Sequence, residues 1–217
     1  MASKVDPVIH WKTPGHQPNG LQATPEGLWV IDQIDPNKVH LLRYEDGAIV
    51  QEIQTRGHHA SGITLDPTGN IWIASTFGYD IFCIDRAGKE LRAFPHPPYD
   101  KTGGAHGLEW REGRLWFNVP RLGRIFTMDP TDGRIVHSIS SHGDRPHGIA
   151  WDPYDANLWC VDTNRRVIFK LNPWTGEILD AVGCDGPEPH GMTIWQGKFW
   201  ICDAGSREIC SFDVPRP

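Results

Sequence analysis

The sequence predicts an all-β fold: a five-bladed β-propeller of four-stranded antiparallel blades. Three observations lead there, namely a composition of strand and turn formers, an internal repeat of about 43 residues, and a first strand that supplies what the last repeat lacks. The 217 residues include 23 Gly, 18 Pro and 10 Trp against 3 Met, and no long stretch runs at helical period. A chain of this length is expected to form one domain over residues 1–217.

One pattern recurs: a small or polar residue, Gly, an aliphatic residue, a Gly-containing turn, then an aliphatic-Trp-aliphatic run. The copies begin at Asn19-Gly20-Leu21, Ser61-Gly62-Ile63, His106-Gly107-Leu108, His147-Gly148-Ile149 and His190-Gly191-Met192. Their glycines, at 20, 62, 107, 148 and 191, lie 42, 45, 41 and 43 residues apart, and a tryptophan follows each one by nine to eleven residues (Trp29, Trp72, Trp116, Trp159, Trp200). That period is the length of a four-stranded propeller blade. A large aromatic at the centre of the second strand is expected to pack between blades.

The fourth copy places the strands. Gly148 to Trp151 alternates as the innermost strand, Asp152-Pro153-Tyr154-Asp155 turns, and Leu158 to Val161 forms the second. Asp162-Thr163-Asn164-Arg165 leads to a third strand over Val167 to Leu171. After Asn172-Pro173-Trp174-Thr175-Gly176, the outermost strand covers Ile178 to Val182. The fifth copy ends at its third strand, Ile209 to Phe212. Residues 8–14 match the outermost strand and the loop after it, so the N-terminal strand is expected to complete the last blade and close the ring.

Charge and composition limit the functions open to such a ring. Net charge is −6 with both signs scattered, so no basic stripe exists for a nucleic acid. The opening residues, Met1 to Asp6, carry no apolar leader, and no membrane-length apolar run occurs; a soluble, cytoplasmic protein is expected. The five cysteines lack metal-type spacing and an even count, and are expected to be small buried apolar residues. Neither a phosphate-binding Gly-rich loop, a Gly-x-Ser-x-Gly elbow nor a His-Glu-x-x-His helix is present.

Candidate chemistry gathers where the loops entering each innermost strand and those leaving each second strand share one face of the ring. Three sets of residues meet there. One precedes the repeat glycines (Asn19, Ser61, His106, His147, His190), and one ends the second strands (Asp32, Ser75, Asn118, Asp162, Asp203). The third lies two residues before the first set (Gln17, His59, Gly104, Arg145, Glu188). Neutral imidazole is a common metal ligand, so His106, His147 and His190, with His59, are candidate ligands for a divalent ion such as Mg, Mn, Fe or Zn; Glu188 and Asp203 add carboxylates. His190, His147 and Arg145 are the candidate catalytic residues. Asn19, Asn118, Asp162, Arg165 and Arg207 are the candidate substrate contacts, the arginines for an anionic group.

The Pro-His-Gly-aliphatic start and aliphatic-Trp-aliphatic centre of the repeat resemble the streptogramin lyase (virginiamycin B lyase) group of propellers, and more distantly the gluconolactonase and NHL-repeat propellers. The likeness extends over the whole chain as a repeat pattern and is most specific at Glu188-Pro189-His190-Gly191. It implies a metal-dependent lyase that opens a cyclic ester by proton abstraction and elimination. His190 matches the base, Glu188 matches one metal-binding carboxylate, and Asp203 stands near the second. This chain departs from those seven-bladed proteins in having five blades and an added ring of histidines. The leading expectation is a metal-dependent lyase or hydrolase acting on a small polar or anionic substrate. The alternatives are an oxidative enzyme with histidine-bound iron or copper, and a non-enzymatic ligand-binding or interaction propeller.

Overall fold

The structure, a computed structural model, describes residues 5–216. Met1 to Lys4, part of the opening segment expected to carry no leader, lie outside the described residues. Five four-stranded antiparallel sheets stand around one axis, as the repeat requires. In the fourth blade the strands are Pro146–Trp151, Leu158–Asp162, Val167–Leu171 and Ile178–Gly183, within two residues of the sequence reading at every boundary. The innermost strands of the other blades are Pro18–Thr24, Ala60–Leu65, Leu108–Arg111 and Pro189–Trp195. Among the described residues no helix is long and apolar enough to cross a membrane.

Closure follows the expected route. Val8–Lys12 lies antiparallel to Glu208–Asp213, with Val8 opposite Ser211 and Lys12 opposite Glu208, and so forms the outermost strand of the last blade. His10 secures the join, its Nε2 lying 2.8 Å from Ser211 Oγ and its ring stacking on Trp200 at 4.6 Å. The sheet edge that the last repeat would leave bare is thereby paired.

Five hydrophobic clusters fill the gaps between neighbouring blades, and each takes one repeat tryptophan. Trp29 and Trp159 are fully buried, and Trp200, the most exposed of the five, keeps 8%. Burying an indole removes more apolar area from water than any other side chain, which explains its place at the blade interface. The Asp-Pro turns serve the same packing. Asp152 accepts the Trp159 Nε1 proton at 2.8 Å and Asp66 that of Trp72 at 3.1 Å, so both indole donors are satisfied inside the wall. All five cysteines are free and buried, in keeping with their reading as small apolar residues.

The repeat glycines set the width of the ring. A Cβ on Gly62 would stand 2.0 Å from the His106 carbonyl oxygen, one on Gly107 2.3 Å from that of His147, and one on Gly20 2.4 Å from that of Ser61. At Gly148 the nearest atom, again on the neighbouring innermost strand, lies at 2.5 Å, and at Gly191 the Asn19 carbonyl oxygen of the neighbouring strand and Cys202 Sγ of the same blade both lie at 2.7 Å. Innermost strands thus meet backbone to backbone, which only glycine permits. In four blades the strand bulges at this point, with register shifts at Pro18/Gly20, Ala60/Gly62, Pro146/Ile149 and Pro189/Met192. A bulge re-aims the side chain it carries, here the residue before each glycine. Gly62→Ala and Gly107→Ala should each cost about 3 kcal/mol through overpacking. Gly113→Ala, with nothing within 4 Å of its Cβ, should cost about 1 kcal/mol for its left-handed backbone. Urea unfolding of the three variants checks the ranking, and equal losses would refute a width set by glycine.

Candidate functional site

The ring places three imidazoles side by side. His106 and His147 have ring centroids 4.6 Å apart, edge to face, and His147 and His190 are 4.2 Å apart. His147 and His190 are 3% and 1% exposed, whereas His106 is half-buried.

Local sequence fixes the tautomers. In Arg145-Pro146-His147 and Glu188-Pro189-His190, the carbonyl two residues back turns onto the imidazole: Nδ1 lies 2.9 Å from Arg145 O and 3.0 Å from Glu188 O. A carbonyl only accepts, so both histidines carry their proton on Nδ1 and keep a lone pair on Nε2. His106 reaches the same state through a relay. Thr76 Oγ1 donates to Ala105 O at 2.9 Å, Ser61 Oγ donates to Thr76 Oγ1 at 2.6 Å, and Ser61 Oγ accepts from His106 Nδ1 at 3.1 Å.

Charge collects just above these neutral rings. Arg145 Nη1 binds Glu188 Oε1 at 2.8 Å, and Arg145 Nη2 stands 3.3 Å from His190 Nε2, donating to its lone pair. Arg145 and Glu188 also line a recess of about 340 Å³, with Thr163, Asn164, Arg166, Pro187 and Gly205. A larger cavity of about 440 Å³ lies on the opposite face between blades three and four, against Trp116, Trp151 and Trp174. The turns that line it are those joining first to second and third to fourth strands, so it does not communicate with the imidazoles.

The buried polar residues that end the second strands hold the loops. Asp162 accepts the backbone N–H groups of Asp144, of Arg145 at 3.1 Å and of Arg165 at 2.8 Å. Asp203 accepts those of Glu188 and Ser206, each at 2.7 Å, and Asp32 those of His16 and Gln17 at 2.9 and 2.8 Å. Gly15, Gly143 and Gly186 lie against these carboxylates, where a Cβ would stand 2.3, 1.8 and 2.6 Å from the nearer oxygen.

Several expected roles therefore change. Asp203, expected as a metal ligand, and Asp162, expected to touch substrate, spend their oxygens on backbone donors. Asn118 is fully buried and donates to the His147 carbonyl at 3.1 Å, and Asn19 is buried with its amide 3.4 Å from Gln33 Oε1; neither offers a free surface to substrate. Arg165 is exposed and paired with Asp144 at 2.8 Å, and Arg207 sits half-buried in a turn with a φ of 65°. His59 packs against His58, Phe77 and Asp35 instead of joining the three imidazoles. Ser61 belongs to the set before the repeat glycines, but Thr76 and Thr163 act on the imidazoles unannounced, because a hydroxyl at a strand end carries no sequence signal of what it will reach. Thr163 Oγ1 lies 3.0 Å from His147 Nδ1 and donates to Pro189 O at 2.6 Å.

A divalent cation on the axis, implied by the resemblance, does not fit this donor set as it is folded. Glu188 is paired with Arg145, each oxygen of Asp203 accepts an N–H of the loops it holds, and a guanidinium faces the His190 lone pair. A second positive charge there would stand beside Arg145, and the neutral imidazoles carry no charge to offset it.

No protein-family model matches the chain, and no curated protein matches it. Among solved structures it is similar to Myxococcus xanthus glutaminyl cyclase, at 11% identity and a TM-score of 0.77 with 100% of both chains covered. It is also similar to a streptogramin B lyase, at 21% identity and a TM-score of 0.60 over 98% of this chain and 74% of that one. A catalytically inactive virginiamycin B lyase from Staphylococcus aureus with quinupristin gives 20% identity and a TM-score of 0.60 over 91% and 66%. These likenesses establish the fold, a β-propeller of the kind that streptogramin B lyase and glutaminyl cyclase share.

Burial pushes all three imidazoles below the ordinary histidine value. His106 falls to about 3, with the charges of His190, Arg145 and His96 adding to the loss of solvent. His147 drops well below by burial and then by its two imidazole neighbours, and His190 drops by burial and the Arg145 charge against the opposing pull of the Glu188 carbonyl and carboxylate. Below about pH 6.5 the unfolded chain takes up protons that the folded one refuses. Stability is therefore full above that value and declines as the pH falls toward the folded-state pKa, at about 1.4 kcal/mol per pH unit for each histidine. Urea unfolding between pH 7 and pH 4.5 should show His106→Gln losing stability more gently than the parent, by about one proton's worth of slope. Parallel curves would contradict a neutral His106.

Proposed function

We propose that the chain is a lyase or hydrolase acting on a small anionic substrate at this channel mouth, with His190 as general base and Arg145 as the anchor of the substrate's negative group. The observation that carries the reading is the contact of Arg145 Nη2 with His190 Nε2 at 3.3 Å, beneath the Arg145–Glu188 ion pair. Guanidinium binds carboxylate and similar anions in a planar fork. An anionic substrate competing with Glu188 for that fork draws Arg145 off His190 and uncovers a lone pair whose tautomer is already set. Nε2 then takes a proton from substrate carbon or from an attacking water. In the lyase case the C–H electrons form the new double bond and the leaving group departs with its own bonding pair. Burial keeps the imidazole neutral, the form a base requires, at all but acid pH. The names of the similar folds, a streptogramin B lyase and a glutaminyl cyclase, support an enzymatic reading.

A second reading, a propeller that binds an anion without turning it over, is favoured by the burial of His147 and His190. One experiment separates the two: a panel of small carboxylate-bearing esters and lactones, assayed for turnover and, by calorimetry, for binding. For an enzyme, His190→Gln should lower kcat about 100-fold or more, the usual scale of a general base, while Arg145→Gln chiefly raises KM. Binding that Arg145→Gln abolishes, with no turnover, would leave the second reading standing. Neither binding nor turnover would end both.

A further inference from the structure

On the same face, away from the axis, three further donors converge. Asp35 lies in the loop after the second strand of the first blade, Gly27–Asp32, and His58 and His59 lie in the loop into Ala60–Leu65 of the second blade. We propose that Asp35, His58 and His59 bind one divalent transition-metal ion of the zinc type.

Geometry comes first. One donor atom from each residue lies within 4.8 Å of the other two, and among the described residues no other group of histidine, cysteine and carboxylate side chains does this. His58 Nδ1 stands 2.8 Å and His59 Nε2 3.9 Å from Asp35 Oδ2. Ligands bound at about 2.0–2.2 Å to a tetrahedral ion sit about 3.4 Å from one another. The present spacings bracket that value, so small side-chain rotations suffice. The three side chains are 39 to 58% exposed, leaving an ion access and leaving water its remaining position.

The backbone holds the pair of histidines toward the carboxylate. His58 N–H donates to Ser75 Oγ at 3.0 Å, Phe77 N–H to His58 O at 3.1 Å, and His59 N–H to Asp35 Oδ1 at 3.3 Å. His59 takes a φ of 46°, in the left-handed region that few residues other than glycine adopt, and this turn sets the two rings edge to face at 5.1 Å. Phe77 packs against them at 4.8 and 5.9 Å and restricts their swing. Two imidazoles and one carboxylate select zinc, cobalt, nickel or copper over magnesium or calcium, which prefer oxygen throughout. The charge balance also suits a cation. Two imidazoles, which ligate a metal in their uncharged form, and one carboxylate make a ligand set of net negative charge, and among the described residues no lysine or arginine pairs with Asp35, in contrast to the Arg145-covered histidines on the axis.

Untagged protein titrated with zinc by calorimetry, and with cobalt by its visible absorption, tests the assignment. One ion per chain is expected, with affinity falling about tenfold or more in His59→Ala, in His58→Ala and in Asp35→Asn, and unchanged in His190→Gln. Each substitution at the site is at an exposed side chain, and the circular dichroism of each variant should match the parent. Absence of saturable binding, binding indifferent to His58 and His59, or loss in His190→Gln instead would overturn the proposal. None of these outcomes depends on turnover or anion binding at Arg145, so the two readings stand or fall separately.

Discussion

The approach of neighbouring innermost strands at the five repeat glycines is the constraint from which the rest of the molecule follows. With no Cβ at 20, 62, 107, 148 and 191, the backbone of one blade rests against the next, and the axis closes to a narrow throat. Blades so close must have their second-strand tryptophans buried in the wedge between them, which is where each lies. The same approach leaves the residues before the glycines no room to stand apart. In three consecutive blades these are histidines, so imidazoles separated by more than 40 residues in the chain come into ring-to-ring contact.

Above the throat the molecule separates two kinds of polarity. Neutral, hydrogen-bonded imidazoles sit in a desolvated layer, each oriented by a carbonyl or hydroxyl that occupies Nδ1. The charged pair Arg145–Glu188 lies over them in contact with solvent. Buried Asp162 and Asp203 turn their carboxyl groups toward the backbone of the loops that present Arg145 and Glu188. A carboxylate that accepts two or three N–H groups fixes a loop in the way a helix cap fixes a first turn. The function of the face thus depends less on how many acids and histidines it holds than on which of them the backbone leaves free.

Much of this was legible from residue order alone. Repeat length, strand positions in the fourth blade, the turn residues, the burial of five tryptophans and five cysteines, and closure by Val8–Lys12 all rest on local pattern: alternation, Gly and Pro punctuation, and a missing strand found at the other end. So did the convergence of His106, His147 and His190, since equivalent positions in a closed ring must meet. His59 was a candidate ligand by its place in the repeat, but nothing in residue order indicated that a loop of the previous blade would bring Asp35 to it and to His58.

What the sequence determined by itself was the ring: how many blades, where they begin, and which residue types face the common axis, because those features repeat and each is decided within a few residues of itself. The tertiary structure alone decided the use of each polar side chain. Whether Asp203 meets an ion or a backbone N–H, whether His59 turns inward or toward Asp35, and whether Arg145 covers His190 depend on differences of a few ångströms between loops of separate blades. Hydrogen bonds are sensitive at that scale, whereas hydrophobic periodicity is not.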